Sequence, residues 1–133
     1  MLTQKIKDEY VRWLEGYVFT EFVVLTIRAD SPLHSRKNGP YACRKALCDT
    51  VSFIGYDGPF VAVVEGDWEY HIHVLMHDSA KAESLVRAWG ALHGHGYRGK
   101  ARAGAVRYIF KSLRSDDDLD RRVELGLTKM HAA

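Results

Sequence analysis

Two apolar runs joined by a short glycine turn constrain this chain more than any other stretch: FVAVVE (60–65), GDW (66–68) and EYHIHVLM (69–76). Both runs have strand length, and Gly66 offers the positive φ that a tight turn needs. Together they predict an antiparallel hairpin. In an extended strand alternate residues share a face. Tyr70, Ile72, Val74 and Met76 therefore line one side of the second strand, and Glu69, His71, His73 and Leu75 line the other. Two histidines on one strand face are either part of a half-polar sheet surface or a pair of metal ligands.

The segments around the hairpin suggest the fold that holds it. Leu2, Ile6, Tyr10, Trp13 and Leu14 recur at helical spacing, which predicts an amphipathic helix over 2–16. YVFTEFVVLTI (17–27) reads as a strand, DSPLHSRKNGP (30–40) as a loop, and 41–53 as a helix burying Ala42, Cys43, Ala46 and Leu47. After the hairpin, Asp78 or Ser79 caps a helix whose apolar stripe is Ala82, Leu85, Val86, Trp89 and Leu92. HGHG (93–96) ends that helix as a loop, YRGKARA (97–103) is a short basic strand, and 104–115 is a last helix. Without the outer helices the order is strand–helix–strand–strand–helix–strand. That is the α+β, ferredoxin-like split βαβ arrangement, with its first and third strands central and both core helices on one face. The expected organisation is one domain over 1–133, with a core over about 17–115 and a loose charged tail over 116–133.

A chain of 133 residues suits a single core, and 47% apolar with 27% charged residues is the balance of a soluble globular protein. No apolar run reaches the length of a membrane span, and the N-terminal stretch is too charged for a signal peptide, so no membrane partner is expected. Cys43 and Cys48 fall close together in one helix and read as core residues rather than a disulfide, which points to the cytoplasm. The net charge is only +2, yet no acidic residue stands between Glu83 and Asp116. That interval carries Arg87, Arg98, Lys100, Arg102, Arg107, Lys111 and Arg114, either a solvated surface or a footprint for a phosphate backbone.

Imidazoles two residues apart on a strand can converge on one divalent ion, and a carboxylate would complete the set. Glu65, at the end of the partner strand, is the first choice and Glu69 the reserve. On the last helix Ala105, Val106, Ile109, Phe110 and Leu113 form the apolar stripe, and Arg107, Tyr108, Lys111 and Arg114 occupy the opposite face. Tyr108 and Lys111, three apart, are neighbours there. A tyrosine among cations is either a boundary residue lying over the core or a nucleophile beside a phosphate.

A histidine–hydrophobic–histidine strand, followed by a tyrosine with lysine three residues later, resembles the HUH single-strand endonucleases, and among them the rolling-circle replication initiator (Rep) proteins. FVVLTI (22–27), HIHVLM (71–76) and YIFK (108–111) correspond in order to their three motifs. The resemblance covers about residues 18–115 and implies the same ferredoxin-like core. It implies that His71, His73 and an acidic residue, best matched by Glu65, bind Mg²⁺ or Mn²⁺. It implies that Tyr108 attacks a DNA phosphodiester at an origin or hairpin, leaving a 5′-phosphotyrosine link and a free 3′-hydroxyl, and that strands can be rejoined. Lys111 would orient the phosphate. Arg98, Lys100, Arg102, Arg107 and Arg114 would line the path of single-stranded DNA.

The third motif holds one tyrosine, so rejoining would be easier in a homodimer. No GxxxxGK[ST] phosphate loop occurs, so unwinding is expected from a separate helicase or from host replication proteins. A plasmid- or virus-encoded initiator in a host cytoplasm fits this pattern. A small single-tyrosine transposase of the same superfamily is the alternative. From another class comes a non-catalytic single-stranded nucleic-acid-binding module, although its central strand would show aromatics where this one shows histidines. A structural zinc site on His93 and His95 with His34 or His77 is a further alternative.

Overall fold

The computed structural model describes residues 4–34, 39–67 and 69–126. Among them are five helices and one five-stranded antiparallel sheet, in the order α1 (Gln4–Glu15), β1 (Glu21–Ile27), α2 (Gly39–Phe53), β2 (Phe60–Glu65), β3 (His71–Met76), α3 (Ser79–Leu92), β4 (Gly94–Lys100), α4 (Ala105–Phe110), α5 (Asp116–Arg122) and β5 (Val123–Gly126). The strand order is β4-β1-β3-β2-β5. The first four follow the expected ferredoxin-like order, with β1 and β3 inside, and β5 extends the sheet past β2.

Each sheet face carries its own core. Val23 and Leu25 of β1, Ala62 and Val64 of β2, and Tyr70, Ile72, Val74 and Met76 on and beside β3 pack under α2 and α3, around Cys43, Leu47, Leu85 and Trp89. Trp89 Nε1 donates to the Thr26 carbonyl at 2.7 Å, so the largest side chain of this core also satisfies its one polar atom. On the other face Val61, Val63 and Leu75 pack against Val11 and Leu14 of α1, Val106, Ile109 and Phe110 of α4, and Leu113. With both faces covered, β2 has no use for polar alternation, which is why FVAVV is uniformly apolar. In α1 the inward residues are Val11 and Leu14; Ile6 and Trp13 are largely exposed, and Leu2 lies outside the described residues.

The turn after β2 is as expected: Gly66 has φ 101°, and a Cβ there would sit 2.3 Å from the Glu69 carbonyl oxygen. Asp78 is the cap of α3, its carboxylate accepting from Lys81 N at 3.1 Å.

Three expectations are corrected. HGHG is not a loop, because β4 begins at Gly94 directly after α3. A Cβ at Gly94 would lie 2.2 Å from the Thr26 carbonyl oxygen, so glycine there permits the close entry of the strand. The last helix expected over 104–115 is only Ala105–Phe110. Nor is the region after Asp116 loose as far as Gly126. Ser115 caps α5 by accepting from Asp118 N at 3.1 Å, three aspartates fill the first turn, and two arginines fill the last. β5 then pairs with β2. Among the described residues no helix is long and apolar enough to cross a membrane.

Two covered faces predict that the second core is as demanding as the first. Ile109→Ala should cost about 2–4 kcal/mol in urea unfolding. Phe53→Ala, at a residue 79% exposed, should cost less than about 0.5 kcal/mol.

Candidate metal centre

Glu65 closes β2 and stands directly opposite His71 in the hairpin register. Directly opposed antiparallel residues project to one face with Cβ atoms about 5 Å apart, and His73 follows two residues along on the same face. Glu65 Oε2 consequently lies 3.0 Å from His73 Nδ1 and 3.7 Å from His71 Nε2. One ligand atom from each of the three residues falls within 4.8 Å of the others. The reserve ligand, Glu69, is exposed and stands outside this group.

His73 is 7% exposed, and its Nδ1 has no hydrogen-bond partner among the described residues. The near Glu65 oxygen lies off the direction in which the ring nitrogen would donate. An orphaned buried polar atom costs about 1–3 kcal/mol, and a cation shared by the three side chains would remove that cost. The imidazoles of His71 and then His73 hold the Glu65 carboxyl well below the usual carboxylate range, against the opposing effect of burial. Two imidazoles and an ionised carboxylate are a chemically sound donor set for a divalent cation. His71 is partly exposed, so coordination positions on that side open to solvent.

Of the other expected residues, Tyr108 lies against His73, and Lys111 lies against Tyr108. The Tyr108 ring lies nearly parallel to the His73 ring, at 2° with centroids 5.8 Å apart. Phe22 of β1 packs against both, at 5.5 Å from His73 and 6.1 Å from Tyr108. Lys111 Nζ sits 4.3 Å from the Tyr108 ring centroid. Tyr108 is 49% exposed while its neighbours Val106, Ile109 and Phe110 are buried, so it does occupy the outer face of the helix.

The basic residues are less uniform than the acid-free interval suggests, and seven uncompensated charges is an overcount. Arg98 is paired with Val23 in the β1–β4 register and so points to the α3 side of the sheet, away from the histidines. There it meets Glu83 at 2.8 Å and Glu21 at 3.3 Å. Arg87 also pairs with Glu83, and Arg107 pairs with Asp8 of α1 at 2.7 Å. Their acidic partners stand at or beyond the ends of the interval, where a local count of charge misses them. Lys100, Arg102, Lys111 and Arg114 make no ion pair among the described residues. Lys100 and Arg102 line an open cleft of about 360 Å³ with Phe22, Gly104 and Tyr108.

Among the described residues the other histidines do not gather. His93 ends α3 and packs on Trp89, His95 is exposed on β4, and His77 stacks on Phe19. His34 is hydrogen-bonded to the Ile27 carbonyl at 3.3 Å. Two residues escaped the sequence reading. Phe22 looked like one apolar residue among many, and Arg122 stood in a segment taken for a tail. The Ser115-to-Asp118 spacing before it was a readable cap signal.

No family model, no curated protein and no solved structure matches the chain.

Mn²⁺ at about a hundred times its dissociation constant should stabilise the folded protein by about 2.7 kcal/mol, read as a rise in melting temperature. Glu65→Gln should abolish the rise. A melting temperature indifferent to Mn²⁺ would refute the metal centre.

Proposed function

We propose that the protein is a metal-dependent single-strand DNA nickase of the HUH type, a replication initiator that cuts through Tyr108 and can rejoin strands. The observation carrying this reading is the parallel contact between the Tyr108 and His73 rings. It sets a nucleophile of the right class beside ligands for a cation that would act on the same phosphate.

In this reaction Tyr108 Oη bonds to phosphorus while the P–O3′ bond breaks. The 5′-phosphate stays on the tyrosine and the 3′-oxygen departs as a hydroxyl. The phenolic proton passes to solvent at the exposed side of the ring, and the 3′-oxygen takes up a proton in turn. Glu65, His71 and His73 would hold a divalent cation, which would supply Lewis-acid polarisation of the scissile phosphate. Mg²⁺ and Mn²⁺ are both candidates, and the two imidazole donors favour the transition ion. Lys111 offsets negative charge gathering on the phosphate oxygens.

The β4–β1 half of the sheet gives single-stranded DNA a route to this centre. Register places Tyr97, Val24 and His73 in one row across three strands. Tyr97 is 63% exposed, and the space above Gly99 is open. Arg102 follows past the end of the strand, and Lys100, opposite Glu21 in the register, stands at the strand end on the side of Arg98. An exposed ring and unpaired cations suit a stacked base and its backbone. Arg98 and Arg107, already paired, contribute less. The same open half-face favours, as second reading, a module that binds single strands without cutting them.

The test is incubation with labelled single-stranded oligonucleotides and hairpins of varied sequence, with Mn²⁺ or chelator, followed by denaturing electrophoresis. A protein–DNA adduct should form only with metal. Tyr108→Phe should bind DNA but lose the adduct by at least about a thousandfold. His71→Ala should remove the metal dependence. Binding with no adduct on any substrate would leave the non-catalytic module.

A further inference from the structure

The ligand Glu65 stands where the sheet loses a strand. β5 pairs with Phe60 through Val63 of β2 and begins, at Val123, opposite Val63. Past that point no strand among the described residues lies beside the outer edge of β2, although the carbonyls of Val64 and Gly66 still project there. The guanidinium of Arg122, the residue just before β5, takes the place of the missing strand. Its Nη1 donates to the Val64 carbonyl at 3.2 Å and to the Gly66 carbonyl at 2.6 Å. These two carbonyls bracket Glu65 along the backbone.

The guanidinium is itself held. Asp118, one turn earlier in α5, lies 3.3 Å from Nε, and the Arg122 side chain is only 15% exposed. The segment carrying it is docked on α2, where Arg44 pairs with Glu124 at 3.0 Å and donates to the Asp120 carbonyl. Nη1 donates to both carbonyls while Nε and Nη2 face Asp118 and Asp67, and a planar guanidinium held on several sides fixes backbone direction better than a flexible ammonium does.

We propose that Arg122 is a positioning residue for Glu65, so that α5 and β5 set the cation affinity of the Glu65–His71–His73 centre. This rests on the reading of those three side chains as metal ligands. The sign of the effect separates positioning from simple electrostatics. A buried cation beside a cation site repels the metal, so loss of the Arg122 charge alone would tighten binding. Loss of the clamp frees the end of β2, spreads the Glu65 carboxylate over several positions, and weakens binding.

The experiment is direct titration of Mn²⁺, followed by the loss of its free-ion electron paramagnetic resonance signal, at a temperature where circular dichroism shows each protein folded. The proteins are the wild type, Arg122→Gln, Arg122→Lys and Arg121→Gln. Arg121 belongs to the same helix, its side chain is 46% exposed and it pairs with Asp117, so its variant removes one charge and leaves the clamp. Arg122→Gln should raise the dissociation constant about tenfold or more, in the range of lost support behind a metal ligand. Arg122→Lys keeps the charge without the fork and should also weaken binding, by a smaller factor. It decides the matter should the glutamine variant fold poorly. Arg121→Gln should bind as the wild type does, or slightly tighter. Arg122 variants that bind Mn²⁺ as well as or better than the wild type would overturn the proposal, as would an equal loss in Arg121→Gln. A wild type that binds no Mn²⁺ would instead overturn the metal centre itself, and the proposal with it.

Discussion

The pairing of Glu65 with His71 across the β2–β3 hairpin is the constraint on which the rest of the molecule depends. Because side chains alternate along a strand, a slip of one residue would send His71 and His73 into the core under α2 and α3, and Ile72 and Val74 to the other face. Burying two imidazoles there without partners costs several kcal/mol, so the hydrophobic pattern and the site require the same register. Gly66, with its left-handed backbone and the Glu69 carbonyl hard against it, makes the turn that holds this register.

The two cores then divide the labour. The face under α2 and α3 is closed and holds the sheet together. The face under α1 and α4 is covered over β2 and β3, while Val24, Thr26 and Tyr97 on the β1–β4 side remain partly or largely exposed. The histidines stand at that boundary. His73 is enclosed by Phe22, Tyr108 and His71, whereas His71 reaches water. A cation held there would have one sheltered and one solvent-facing imidazole beside it.

Much of this was legible in the sequence because it rests on local signals. The β3 alternation, the Gly66 turn, the Asp78 cap and the inner part of the α3 stripe are short-range patterns that reappear in the fold, whereas Ile6 and Trp13 of α1 and Leu92 of α3 are exposed. The meeting of Glu65, His71 and His73 also follows from hairpin arithmetic. What was not legible depends on residues far apart in the chain. Arg98 and Arg107 look free until Glu21 and Asp8 are folded against them. The start of β4 at Gly94 was hidden because glycine is a poor strand former, and only the approach of the Thr26 carbonyl explains it. SDDDLDRR looked like a solvated charge run, since four acidic residues in five suggest repulsion unless the cap and the helix dipole are recognised.

The bonds from Arg122 to Val64 and Gly66 span 58 and 56 positions of the chain. Contacts of such separation form late, because the intervening loop must first give up its conformational freedom. During synthesis the strands bearing Glu65, His71 and His73 leave the ribosome well before Arg122. With Arg122 in the positioning role proposed above, the hairpin would assemble while its cation affinity is still low. Full affinity would arrive only with α5 and β5, which would tie capture of an ion to completion of the sheet.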